Sequence, residues 1–175
     1  MIHTYAALAF WKRVFENRMM HGVAPSHPLR LRTVAVGALH VDPAKGAPWM
    51  VIIVDEKKGV RISDIQELSN SLRWTITIVV EVASRAFAID DAMRATDALA
   101  NAVVETAFAT LSTPTVIEER RDADNAVVSL VVADLFESKA NVNITYWIRG
   151  SDKDWVVGAK ISFDHTIMET THAPV

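Results

Sequence analysis

The sequence predicts an α+β domain: an antiparallel or mixed β-sheet with two main helices, about residues 4–21 and 89–111, packed on one face. Three observations carry this expectation. Arg73–Leu111 reads as one strand feeding one long Ala-rich helix. Trp74, Ile76, Ile78, Val80 and Val82 alternate with Thr75, Thr77, Val79 and Glu81, a period of two that sends the first set to a core. After Ser84–Phe87 the period becomes helical. Finally, the last strand candidates are joined by short turns, which suit antiparallel neighbours.

The N-terminal helix is predicted over 4–21, with Thr4 as its N-cap and Leu8, Trp11, Phe15 and Met19 as its apolar stripe. Lys12, Arg13, Arg18 and His21 suit the negative end of the helix dipole. Gly22 stands where a helix stop is expected, and Pro25 and Pro28 oppose continuation. Residues 29–41 form a strand candidate, followed by turn chemistry at Asp42–Gly46. Trp49–Val54 is short, apolar and β-branched, as a central strand is. Asp55-Glu56-Lys57-Lys58-Gly59 reads as a polar loop, and residues 60–70 fit neither period.

The helix over 89–111 places Ile89, Ala92, Met93, Leu99, Val103, Ala107 and Leu111 at apolar positions. Asp90 and Asp91 occupy its first turn, where the dipole favours carboxylates. Residues 115–125 hold the mixed-charge cluster Glu118–Asp124 and read as a solvated loop. Strands are predicted at Val127–Leu135, Asn141–Ile148 and Trp155–Ile167, the last two joined by a turn at Ser151–Asp154. The chain reads as one domain, 1–175, whose polar segment 170–175 is expected to be a loose tail.

Composition bounds the chemistry. At 175 residues, about 70% of the extended chain's surface is expected to be buried, so a core forms without staples. Cysteine is absent, which removes thiol catalysis, thiolate metal sites and disulfides. The net charge of −3, spread without blocks, lacks the basic footprint of a nucleic-acid binder. No apolar run approaches the roughly 20 residues of a membrane span, and nothing frames Ala6–Trp11 as a signal peptide.

No catalytic motif competes with this scaffold. Gly-rich phosphate loops, HExxH, G-x-S-x-G and EF-hand patterns are all missing. None of the six histidines stands three or four residues from another, so no helix offers a metal-ligand pair. His165 with Asp164 and Asp152 or Asp154 is the one polar constellation available for a small enzyme, against the ordinary reading of an edge histidine. Asp90 and Asp91 point about 100° apart on a helix, so a dipole role outweighs an acid–base pair. Trp49, Trp74, Trp147 and Trp155 fall at or inside strands, as core or interface anchors do. A protein-binding adaptor using these Trp-rich edges is the alternative from another class.

The order of elements resembles the bacteriophage tail terminator family, the minor tail protein U type of lambda-like phages. The resemblance is carried by the start Met1–Thr4 leading into an amphipathic helix and by the strand Pro48–Val54. The strand Trp74–Val82 with its acidic-start helix, the stretch Arg120–Asp124, and the closing strand Ile161–Ile167 complete it. It covers about two thirds of the chain; residues 23–47, 59–70 and 136–156 are extra length. Related neck, stopper or tail-completion proteins share this pattern.

The resemblance implies a non-enzymatic structural virion protein of the tail or neck, assembled in the host cytoplasm without cofactor or metal. Its copies would close into a ring, a hexamer, that caps the tail tube protein and meets the head–tail connector proteins. DNA would cross the lumen without specific binding, and no membrane would be involved. A ring needs two complementary surfaces per subunit. Arg120, Arg121, Asp122 and Asp124 are expected as subunit or tube contacts, because charges of mixed sign pair in trans. Asp55, Lys57 and Lys58 are a second expected contact.

Overall fold

The computed structural model describes residues 2–37, 47–63, 70–112, 115–121, 127–133 and 142–172. Among the described residues the architecture is α+β: a mixed, mostly antiparallel sheet of seven strands with both helices on one face. In chain order the elements are α1 (Ile2–Phe15), a π-helical segment (Glu16–His21), β1 (Thr33–Val36), β2 (Trp49–Ser63) and β3 (Asn70–Ala86). They continue as α2 (Ile89–Leu111), β4 (Thr115–Arg121), β5 (Val127–Ala133), β6 (Asn143–Ser151) and β7 (Asp154–His172).

The strand order is β1-β2-β3-β7-β5-β4, with β6 also on β7. β1 pairs parallel with β2, and every other pairing is antiparallel. β7 is the axis of the sheet. One of its edges pairs with β3 throughout. The other takes β6 along Asp154–Ser162 and β5 along Thr166–His172, so β5 and β6 lie end to end.

Alternation decides the core. Ile76, Ile78, Val80 and Val82 are buried and meet His165, Phe163, Ile161 and Ala159 in register. Met50 and Ile52 pair into the same face. α2 crosses β3 and β7, burying Ala92, Thr96, Leu99, Val103, Ala107 and Leu111. Its small residues allow this close approach. The underside of α2 is pinned by hydroxyls. Ser84 donates to the Ala92 carbonyl at 2.7 Å and Thr96 to the Val157 carbonyl at 2.8 Å. The two hydroxyls also lie 2.6 Å apart, so two protons serve three contacts.

α1 buries Trp11, Phe15 and, from the π-helical segment, Met19. Trp11 stacks on Phe15 and meets Phe163 edge-on, with centroids 5.5 and 5.0 Å apart. Such pairs add to the value of burial.

Several expectations need correction. Thr4 is not an N-cap, because α1 already includes Ile2. The helix over 4–21 is two segments, α up to Phe15 and π from Glu16, closed by the Gly22 N–H bonding to the Asn17 carbonyl at 2.7 Å. A Cβ at Gly22 would sit 2.7 Å from that same carbonyl oxygen. Close approach therefore demands the glycine; its φ is an ordinary −77°. Met93 faces outward on α2.

Asp55–Gly59 is no loop: β2 runs through it, because β3 supplies backbone partners as far as Ser63. The charged residues Glu118–Arg121 are likewise strand, paired with β5. Thr170–His172 are the last rungs of β7 rather than a loose tail. The strand expected over 29–41 shortens to β1 among the described residues. The Ser151–Asp154 turn forms as expected, with Asp152 at φ 52°.

Candidate assembly surface

Among the described residues the sheet has three edges: β1 and β4 end the strand order, and β6 lies end to end with β5 on β7. None of the three has a strand on its outer side among the described residues. Such edges present unpaired N–H and C=O groups that can template further pairing.

The β6 edge is also apolar. Alternation turns Ile144, Tyr146 and Ile148 toward the helix side, where α2 leaves the outer two uncovered. Tyr146 is 51% exposed, Ile148 47% and the neighbouring Met93 47%. A cavity of about 380 Å³ opens between α2 and β6, lined by Met93, Arg94, Asp97, Tyr146, Ile148 and Val157. The Tyr146 hydroxyl donates to Asp97 Oδ1 at 2.8 Å, which orients the ring along the strand edge. Partial burial, then the bond to Asp97 and its charge, raise the phenol pKa above its ordinary value. Phe87, 68% exposed, precedes α2 and carries Lys153 Nζ 5.9 Å from its centroid.

At the end of this edge, Arg85 grips Asp154 through two bonds of 2.6 and 2.7 Å. This holds the Asp154 carboxyl below the usual range. Clusters of exposed apolar side chains on an unpaired edge are the physical mark of a contact surface.

The opposite face of the sheet holds a second, smaller cluster. Trp147 lies across β7 over Gly158, and its Nε1 donates to Glu81 Oε1 at 2.8 Å. Trp49 tilts against it with centroids 6.5 Å apart, and the Arg149 guanidinium sits 5.2 Å from its ring. Any Cβ at Gly158 would overlap the indole. Gly158→Ala is therefore expected to push Trp147 off Glu81. The cost is about 1–3 kcal/mol, read from chemical denaturation, with a red shift in tryptophan emission.

The expected contact residues are not gathered into one site. Asp55 is exposed at the bulge of β2. Lys57 and Lys58 pair in register with Ile76 and Thr75. Arg120 and Arg121 pair with Val128 and Val127 in β4, the far edge of the sheet. Four strand spacings separate β2 from β4, on the order of 19 Å. Asp122 and Asp124 lie outside the described residues.

The His165 constellation does not form. Successive residues of a strand face opposite ways. His165 is buried among Trp11 and the core, while Asp164 accepts a 2.6 Å bond from Thr77 on the other face. Asp154 is held by Arg85 at the far end of β7. Among the described residues no group of three or more acidic or histidine side chains is placed to hold a metal ion. No described helix is long and apolar enough to cross a membrane.

Sequence reasoning does not mark the exposed side chains Tyr146, Ile148 and Phe87, and it counts Met93 with the apolar stripe of α2. The available signal was the alternation Ile144, Tyr146, Ile148 with no second helix left to cover it. The chain matches no protein-family model and no curated protein.

Proposed function

We propose that this protein is a structural assembly subunit: a ring-forming phage tail terminator that caps the tail tube and meets the head–tail connector. The observation that carries the reading is the pair of open strand edges, β1 and β6, on opposite sides of one sheet, one of them apolar. Two distinct edges per subunit are what a head-to-tail ring needs. The element order supports the phage assignment through its resemblance to tail terminators. A neck or stopper protein of similar build would use the same edges.

In this reading the protein needs no cofactor, and DNA passes through the lumen. The mildly acidic charge of −3 suits such a lumen, since a basic wall would hold the phosphates. The test is to mix the protein with tubes assembled from the tail tube protein of the same genome. Electron microscopy is expected to show a ring at one tube end and arrested growth. Tubes that keep growing with bare ends would refute the assignment.

A further inference from the structure

We propose that the cavity between the π-helical segment and α2 is a binding site for a free amino acid with a large apolar side chain. The site does not rest on the ring reading.

The sequence leaves the space open. Ala98, Ala102 and Ala109 share one stripe of α2, at helical spacing. Their methyl groups are too short to fill the gap to Met19, Val23 and Leu29, and a cavity of about 410 Å³ opens there. That volume lies within the roughly 300–1,000 Å³ of small-molecule sites. The helix on its other wall changes from α to π at Glu16, a rare geometry that recurs at functional sites.

Polar groups of both signs line the same cavity. Arg18 reaches it from the π-helical segment, His27 from the stretch that follows, and Glu105 and Thr106 from α2. Arg18 and Glu105 form no ion pair with each other, nor with any other described residue. His27 Nδ1 accepts from the Leu29 N–H at 3.2 Å, so its Nε2 holds the proton and can donate.

Thr106 is the deepest of these groups. It is 7% exposed, and among the described residues its hydroxyl has no hydrogen-bond partner. Thr110 bonds only to the Thr106 carbonyl, at 2.7 Å. A hydroxyl so buried is ordinarily paired. This one borders the cavity, where a bound molecule supplies the partner.

Chemistry selects the occupant. Arg18 and the His27 Nε2–H suit a carboxylate, and Glu105 suits an ammonium group. A molecule with one charge only would leave the other protein charge unmet. The Thr106 hydroxyl can donate to the carboxylate or accept from the ammonium. The alanines, with Met19, Val23 and Leu29, then enclose an apolar side chain.

The test is isothermal titration calorimetry of the full chain with L-phenylalanine and L-leucine. At least one is expected to bind with a Kd below about 1 mM. Glycine, phenylpropanoate and phenylethylamine lack the side chain, the ammonium and the carboxylate in turn. Each is expected to bind roughly tenfold more weakly, or less. Thr106→Val and Glu105→Gln are each expected to weaken binding about tenfold. Thr106→Val is expected to melt no lower than the wild type, since it removes an unpaired hydroxyl and keeps the shape.

Failure of both amino acids to bind would overturn the site, and so would any of the three analogues binding as tightly as L-phenylalanine. Either folded variant binding like the wild type would also overturn it. Glu105 is exposed, so Glu105→Gln decides should Thr106→Val lose its cooperative melt. The ring reading stands or falls separately, on oligomeric state.

Discussion

Trp11→Ala is expected to be the most destabilising single change in the described core, at about 3–5 kcal/mol in chemical denaturation. Trp11 is fully buried and touches Phe10, Phe15, Phe163 and His165. It is the point where α1 meets β7, so its loss leaves a cavity that rigid strands on one side cannot fill. Against a total stability of about 5–15 kcal/mol, this threatens folding at physiological temperature.

One feature moderates the figure. The Trp11 indole N–H is buried with no hydrogen-bond partner among the described residues. Alanine removes that unmet donor along with the ring. Trp11→Phe keeps most of the packing and also removes the donor, so it is expected to cost well under half as much. Tyr5→Ala, on the exposed side of the same helix, is expected to stay within about 0.5 kcal/mol.

The second large effect is on acid stability. His165 is buried beside Trp11, and neither ring nitrogen has a hydrogen-bond partner among the described residues. Burial pushes its pKa down from 6.5 to about 3. The folded state therefore binds this proton later than the unfolded state does. Stability from this group is complete above about pH 6.5 and drains away as pH falls toward 3. Near pH 3.5 the loss is on the order of 4 kcal/mol. His165→Leu is expected to remove that part of the pH dependence. The wild-type and variant denaturation curves should run parallel above pH 7 and diverge below 6, with the variant the more stable. Parallel curves down to pH 4 would show that the imidazole is solvated.

The same residue shows how much was legible in advance. Val157, Ala159, Ile161 and Phe163 alternate inward, and two more steps of that period reach His165 and Ile167. The edge position expected for this histidine is therefore wrong: it continues the inward period and is buried. Its chemistry suggested a site with Asp164, but the period-two rule puts neighbours on opposite faces. The unit at 73–111 was plain for the same reason: one strand period and one helix period, each long and uninterrupted.

What the local pattern hid was set by partners distant in sequence. Asp55-Glu56-Lys57-Lys58 looks like a solvated turn. It becomes strand because β3 continues opposite it, and a paired backbone outweighs weak β-propensity. Glu118–Arg121 follows the same logic against β5. The Trp147–Gly158–Glu81 arrangement joins three strands whose register no single segment encodes. The β6 edge escaped notice because exposure depends on where α2 stops covering the sheet. That boundary belongs to the packing rather than to β6.

The central claim is that this chain works as a self-assembling subunit through two open sheet edges. Native mass spectrometry of the purified full-length chain, over a range of concentrations in mild salt, tests it most directly. A closed oligomer, a hexamer, in equilibrium with monomer is the predicted result. A strictly monomeric chain at every concentration, also in the presence of tail tubes, would contradict it.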